Sequence, residues 1–269
     1  TDFKKDGWPD LVIVGEWTWN QILQNNSGIF SLLDNETSKL VGAWSSVKAG
    51  DFDKDGDEDL IVGNLGFNSQ LKASTTEPVS LFYQDFDDNG KIDPILAYYT
   101  QGKNYPAYSR DEISDQIVSL KKKYISHEAY ATATIDEVLA EFKGKDIKKL
   151  EITTLESVYL KNDKGTFTIL SLPIQAQFSP IYAIENTDIN GDGFQDLILG
   201  GNQSKGRVRL GNIDANYVQV FINDKKGNFN YQSSLGVKGD VRGLKMINNQ
   251  LIVAINNQQA KAFKKNITL

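Results

Sequence analysis

The chain has no cysteine, one histidine and one methionine among 269 residues. Without cysteine, disulfides, zinc–thiolate centres and thiol nucleophiles are all excluded. The missing thiol does not fix a compartment, because many exported bacterial proteins also lack cysteine. No run of about 18 apolar residues occurs, so nothing reads as a membrane-spanning helix. Positive charge is short as well: 29 Lys and Arg against 35 Asp and Glu leave a net charge of −6. Nucleic acids and anionic membranes attract clustered positive charge, so neither is an expected partner. The one basic run, Lys121, Lys122 and Lys123, falls in a helical stretch and reads as a solvated face. No G-x-S-x-G elbow and no phosphate-cradling glycine loop is present, and His127 sits in the same helical stretch, where a surface or cap role suits it. The chain starts at Thr1 without Met or a signal-like segment, so an upstream segment is expected. Hydrophobic residues make up 40%, enough to bury a sizeable core.

What the chain does have is a nine-residue pattern, D-x-D-x-D-G-x-x-D, followed each time by an apolar run. Loop 1 runs from 2 to 10, loop 2 from 51 to 59, loop 3 from 85 to 93 and loop 4 from 188 to 196. A hard cation such as Ca²⁺ takes six to eight oxygens in a tolerant arrangement. Side chains at positions 1, 3 and 5 of a tight loop converge on one point. Position 6 must turn sharply, and all four copies have glycine there, the residue that accepts φ > 0 without a Cβ clash. The position 7 carbonyl and the position 9 carboxylate complete the expected shell.

Candidate ligands are therefore Asp51, Asp53, Asp55, Asp59 and the carbonyl of Asp57 in loop 2. Loop 3 offers Asp85, Asp87, Asn89, Asp93 and the carbonyl of Lys91, and loop 4 offers Asp188, Asn190, Asp192, Asp196 and the carbonyl of Phe194. Loop 1 offers Asp2, Asp6, Asp10 and the carbonyl of Trp8, but carries Lys4 at position 3. That ammonium either replaces the cation's charge or swings outward and leaves a weaker site. Three calcium sites are expected, with the fourth open. Acidic turns without metal are common, yet four copies of three or four crowded acidic side chains would repel one another without a counterion.

An EF-hand starts similarly but needs Glu at position 12 and flanking helices. Position 12 here is Ile13, Val62, Leu96 and Leu199, all inside short apolar runs that read as buried strands. A second repeated element, at 25–30, 162–167 and 223–229, reads as a hairpin turn ending in G-x-F. Phe30 to Asp51 and Phe167 to Asp188 are each 21 residues, and 21 beyond Phe229 falls on Gln250, in a plain turn after Asn248 and Asn249. Five units are thus expected, four with a metal loop, and short-stranded repeats of this length suggest blades of an all-β propeller spanning 1–269.

Loops 3 and 4 stand 103 residues apart, against 34 between loops 2 and 3. Ser109 with Glu112, and Thr134 with Glu137, match the helix capping box, and apolar residues follow at helical spacing. A helical insertion at 101–150 within the third blade is expected, acting either as a cap over the ring or as a docking element.

The loops resemble those of FG-GAP/VCBS-repeat proteins, which recur in integrin-type α-subunit propellers. The stretches at 63–68, 105–112, 154–157 and 214–217 are similar to the C-terminal region of large bacterial VCBS-repeat proteins that carry the ASPIC/UnbV domain. The resemblance implies a seven-bladed or similar propeller, export, and calcium at Asp51, Asp53, Asp55 and Asp59 and at the matching positions of loops 3 and 4. It supplies no substrate.

The function expected is a non-catalytic, calcium-rigidified module that recognises protein or glycan at the bacterial cell surface. Extracellular calcium modules bind with Kd of about 10⁻⁴–10⁻³ M, which suits export. Three bound Ca²⁺ would neutralise the net charge of −6. Trp8, Trp17, Trp19, Trp44, Tyr98, Tyr99, Tyr105 and Tyr108 are either ligand contacts or blade packing. A carbohydrate-active enzyme of the lyase or glycosidase type and a structural subunit of an outer-membrane complex remain open alternatives.

Overall fold

Each apolar run behind an Asp-rich loop forms a strand, and each N-x-x-G-x-F element closes a hairpin beside it. In the computed structural model, which describes residues 1–3, 5–34, 36–206 and 210–264, these pieces build five antiparallel sheets. Sheet I comprises Leu11–Ile13, Gln21–Asn26 and Ile29–Leu32. Sheet II comprises Ser46–Gly50, Asp59–Gly63, Val158–Asp163 and Thr166–Ser171, and sheet III Ile181–Thr187, Asp196–Gly201, Gln219–Asn223 and Phe229–Ser234. Sheet IV comprises Val241–Ile247, Gln250–Ile255 and Lys261–Lys264. Sheet V comprises Val79–Gln84, Asp93–Thr100, Lys103–Pro106 and Lys148–Ile152. A separate two-stranded ladder joins Glu16–Trp19 to Val41–Ala43.

Register makes the repeat explicit. In loops 1, 2 and 4 the residue after the position 9 aspartate faces the same hairpin-strand position across the ladder: Leu11 opposite Leu23, Leu60 opposite Leu160, Leu197 opposite Phe221. Sheet IV repeats the pairing with Leu251 opposite Phe263, although a two-residue turn of Asn248 and Asn249 replaces its loop. Both asparagines have positive φ, 47° and 61°, as a type I′ hairpin turn requires.

The chain divides into two compact units, one of residues 1–70 and 155–269 and the other of residues 71–154. In the first, alternate strand residues face opposite ways and sheets share apolar clusters with the next in order. Phe3 and Ile22 of the sheet I repeat meet Leu60, Val62 and Leu160 of sheet II. Phe52, Ile61 and Tyr159 meet Leu197, Leu199 and Phe221 of sheet III. Ile189, Ile198 and Val220 meet Leu251 and Val253 of sheet IV. Glu185 on sheet III, 3% exposed, ties three sheets together: its carboxylate meets Lys48 Nζ of sheet II at 2.9 Å and accepts the Met246 N–H of sheet IV at 2.9 Å.

The second unit differs in extent from the expected helical insertion at 101–150. It begins at 71 and takes loop 3 and sheet V with it, so the inserted segment interrupts sheet II between its second and third strands. Sheet V also departs from the repeat, because its last strand, Lys148–Ile152, pairs beside the first, Val79–Gln84, and not beside the third. Helices α1 (Arg110–Gln116), α2 (Leu120–Lys123), α3 (His127–Ala131) and α4 (Ile135–Leu139) follow. Both expected capping boxes form, Ser109 with Glu112 and Thr134 with Glu137. Ile113, Ile117, Leu120, Ile135 and Val138 bury against Phe82, Phe86 and Ile95, so these helices supply the core that sheet V needs. The run at 121–123 is solvated as expected, with Lys121 paired to Asp115 and Lys123 to Glu141.

Candidate metal centres

The four loops share one backbone device. Position 1 turns its carboxylate inward to accept the N–H of the position 6 glycine: Gly7 to Asp2 at 2.8 Å, Gly56 to Asp51 at 3.1 Å, Gly90 to Asp85 at 2.8 Å and Gly193 to Asp188 at 2.8 Å. Position 5 accepts the N–H of position 7, as Asp55 does from Asp57 at 2.8 Å and Asp192 from Phe194 at 2.9 Å. Two left-handed residues close the coil. Glycine holds position 6 at φ of 83–95°, and position 4 is left-handed too, filled by Lys5, Lys54, Asp88 and Gly191.

This winding brings Asp51, Asp53 and Asp55 together, with one carboxylate oxygen from each within 4.8 Å of the others. Asp85, Asp87 and Asp93 converge in the same way. Burial pushes the Asp51 carboxyl above its ordinary range; the Gly56 and Lys54 N–H groups oppose this, and the charges of Asp55 and Asp53 add to it. Asp51 Oδ1 is buried and meets no hydrogen-bond donor. A buried oxygen without a partner costs about 1–3 kcal/mol, and a hard cation held among three carboxylates would remove that cost. The residues therefore fit Ca²⁺. In loop 4, Asp188, Asn190 and Asp192 hold the matching places, and Asn190 donates to Asp192 Oδ2 at 3.2 Å. In loop 1, Asp2 and Asp6 match, while Lys4 lies outside the described residues.

Position 9 divides the loops. The sequence expectation had this carboxylate completing the metal shell, and Asp93 stands beside Asp85 and Asp87 accordingly. Asp93 also accepts the position 2 N–H, from Phe86 at 3.1 Å; in loops 1, 2 and 4 the second carboxylate oxygen has a backbone donor as well. Asp10, Asp59 and Asp196 each accept the position 2 N–H on Oδ2, at 2.8, 3.2 and 2.7 Å. Their Oδ1 atoms accept the backbone N–H of Asn25, Asn162 and Asn223, each at 2.8 Å. These asparagines, the first residues of the repeated hairpins, reach back to the position 8 carbonyls of Pro9, Glu58 and Gln195 at 3.0, 3.1 and 3.1 Å. Their Oδ1 atoms accept the hairpin glycine N–H of Gly28, Gly165 and Gly227. The result is a clamp that fastens the Asp-rich loop to the hairpin of its own sheet. Sequence reasoning found the asparagine as a turn residue only; its recurrence with the position 9 aspartate was the signal. In loop 2 Tyr159 also donates to Asp59 Oδ2 at 2.7 Å. Burial raises the Asp59 carboxyl to about 6, against the Asn162, Tyr159 and Phe52 donors, and burial beside that carboxylate drives the Tyr159 phenol far above its usual range.

Position 7 was expected to contribute only a carbonyl, and its side chain has a second use. Lys5, at position 4 of loop 1, reaches Asp57, at position 7 of loop 2, at 3.1 Å. Lys54, at position 4 of loop 2, lies 4.4 Å from the ring centre of Phe194, at position 7 of loop 4. Loops 1 and 2 thus each hand a cation to the loop of the following sheet. Loop 3 has Asp88 at position 4, which pairs with Lys145 of its own unit at 2.7 Å.

Among the aromatic residues offered as ligand contacts, Trp44 and Tyr108 are core residues at 1% and 5% exposure. Trp17, Tyr98, Tyr99 and Tyr105 are half-buried, and Trp8 and Trp19 are exposed. His127 is exposed, 3.7 Å from Asp111.

The chain is therefore a predominantly β protein built on a repeated Asp-rich loop. Residues 2–62 match the family model described as FG-GAP-like repeat, a stretch holding loops 1 and 2, sheet I and the start of sheet II. No curated protein matches the chain.

Proposed function

We propose that this chain is a calcium-stabilised β-propeller segment that serves as a non-catalytic binding or scaffold module on the outer surface of a bacterium, recognising protein or glycan. The observation that carries the reading is the buried, unpartnered Asp51 Oδ1 within a cluster of three carboxylates, in a loop that joins the first two strands of sheet II. Asp51, Asp53 and Asp55 would hold one ion, Asp85, Asp87 and Asp93 a second, and Asp188, Asn190 and Asp192 a third. Calcium held there would neutralise the crowded carboxylates and stiffen the loop end of the sheets that carry one. Asp10, Asp59 and Asp196 stiffen their loops from behind, which leaves few distinctive acids for general acid–base chemistry. The FG-GAP-like match at 2–62 supports a binding module, and the low affinity typical of extracellular calcium modules supports export.

The test is a melting series in calcium, magnesium and chelator, followed by glycan-array binding and pull-down from intact cells. At about 100 Kd each site adds roughly 2.7 kcal/mol, or about 5–10 °C in a unit of this size. Magnesium should restore little, since it resists such irregular, largely dehydrated coordination. A melt indifferent to calcium at millimolar concentration refutes the metal reading. Turnover of a polysaccharide refutes the non-catalytic one.

A further inference from the structure

Taking the sheets as blades, as the proposed function does, we propose that the outer face of sheet I is an interface for a further blade of the same repeat. That blade carries an aromatic residue at position 2 of its loop and a lysine or arginine at position 4.

Of the three junctions already formed, two have a receiving sheet that carries its own loop; the third, onto loopless sheet IV, takes Ile189 in place of an aromatic. Sheet II turns Leu60, Val62, Leu160, Phe167 and Ile169 toward sheet I. Sheet III turns Leu197, Leu199, Phe221 and Phe229 toward sheet II. Into each face comes the position 2 side chain of the preceding loop. Phe3 stacks edge-on to Phe167 at 5.4 Å, and Phe52 edge-on to Phe229 at 5.4 Å. Above each junction the preceding position 4 lysine meets position 7, Lys5 on Asp57 and Lys54 on Phe194.

Register places Leu11, Ile13, Leu23, Phe30 and Leu32 of sheet I at the same positions. All are apolar, as a receiving face demands. Yet Leu11 is 46% exposed, Ile13 42%, Phe30 49% and Leu32 54%, whereas Leu60, Val62 and Phe167 are between 0 and 3%. The other face of sheet I, with Ile22 and Val12, is already packed against sheet II. Position 7 above the open face is Trp8, 44% exposed, an indole that would take a cation as Phe194 does. A contiguous apolar face of this kind marks an interaction surface.

Among the described residues, no loop of this chain or of a second copy has a free position 2 aromatic to supply. Phe3, Phe52 and Ile189, the position 2 residues of loops 1, 2 and 4, are all buried. Phe86 of loop 3 is buried in its own unit and is followed by Asp88. The free face of sheet IV has no loop and presents no aromatic residue: register sets Gln250, Ile252 and Ala254 there beside Lys245, Ile247, Ala262 and Lys264. Closure onto sheet IV would leave Phe30 without an aromatic partner.

The decisive experiment substitutes Phe30→p-benzoylphenylalanine in the polypeptide carrying this sequence, in the cells that produce it, with irradiation and sequencing of the cross-linked peptide. The expected product joins position 30 to the aromatic at position 2 of another D-x-x-x-D-G loop. A cross-link to residues 241–264, to any peptide without such a loop, or none at all, overturns the proposal. In the isolated chain, Phe30→Lys should move the melt by no more than about 2 °C, as at an exposed site, while Phe167→Lys should lower it by more than about 10 °C. Equal losses would also overturn it. A chain that ignores calcium but gives the expected cross-link would sink the metal reading and leave this interface standing.

Discussion

Asn223→Ala is the sharpest probe of the clamp. The side chain is 2% exposed and makes four hydrogen bonds: it donates to the Phe52 carbonyl at 2.7 Å and the Gln195 carbonyl at 3.1 Å, and it accepts from Lys225 at 2.9 Å and Gly227 at 3.2 Å. The Phe52 carbonyl belongs to loop 2, so this residue fastens its own loop and the preceding one. Alanine leaves two buried carbonyls and two N–H groups without partners, of which only some can recruit water. At about 1 kcal/mol net per bond, with a larger cost where a group stays unmet, the loss is about 3–4 kcal/mol. Asn162→Ala, with one carbonyl and one N–H at stake, should cost about 2 kcal/mol. All four tryptophans, Trp8, Trp17, Trp19 and Trp44, lie in the unit formed by 1–70 and 155–269, so urea unfolding followed by tryptophan fluorescence reads that unit alone. A midpoint shift of about 1–2 M is expected for Asn223→Ala. Asn223→Asp keeps an acceptor for Gly227 but aims a second oxygen at two carbonyls, and should lose at least as much. A loss under about 1 kcal/mol for alanine, or full stability for aspartate, would refute the clamp.

Asp55→Ala should reduce the calcium-dependent rise in melting temperature by about one site's share, roughly 5–10 °C, and more than Asp6→Ala does; equal effects in a calcium titration would mean that loop 1 is as strong a site as loop 2. For Glu185, burial acts to raise the carboxyl, but the Met246 N–H and the Lys48 and Lys245 ammonium groups outweigh it and hold it below its ordinary value. A depressed folded pKa contributes stability above the unfolded pKa, and that contribution is lost as pH falls through the folded one. Glu185→Gln should therefore cost about 1–3 kcal/mol at pH 7, with the gap to wild type shrinking below about pH 4; a pH-independent gap in urea unfolding would show that packing, not charge, is at stake.

The loops, hairpins and capping boxes were legible because each rests on contacts within a few residues. Asp51 and Gly56 are bound to each other by chain geometry, and so are Ser109 and Glu112, so spacing alone reveals them. Extent was harder to read. Loop 3 carries the same nine-residue pattern as loop 2, and the pattern alone cannot say that the strand after it pairs within a separate unit. That depends on Lys148–Ile152 adding to the edge of Val79–Gln84, a long-range choice with no local signature. The same limit hid the second role of position 9. An aspartate that ligates and one that caps a backbone look alike until Asn162, 103 residues from Asp59 along the chain, is seen to share its carboxylate. Glu185 was hidden for the same reason, since its partners lie 137 and 61 residues away.

That sheet II survives a break of this length between its second and third strands has a local cause. The two chain ends are pinned to each other within the first unit before the second unit begins. Gly66 N–H donates to the Leu155 carbonyl at 2.8 Å, Asn64 N–H to Ser157 Oγ at 2.9 Å, and the Asn64 amide to the Glu156 carbonyl at 3.2 Å. Gln177, 1% exposed, then clasps Ser157 from both sides, accepting its N–H at 2.8 Å and donating to its carbonyl at 2.9 Å. Loop-closure entropy rises only by about 0.6 kcal/mol per doubling of loop length, so once the ends are held, a folded unit in place of a short turn costs little. It follows that the pin, not the 71–154 unit, is what sheet II depends on.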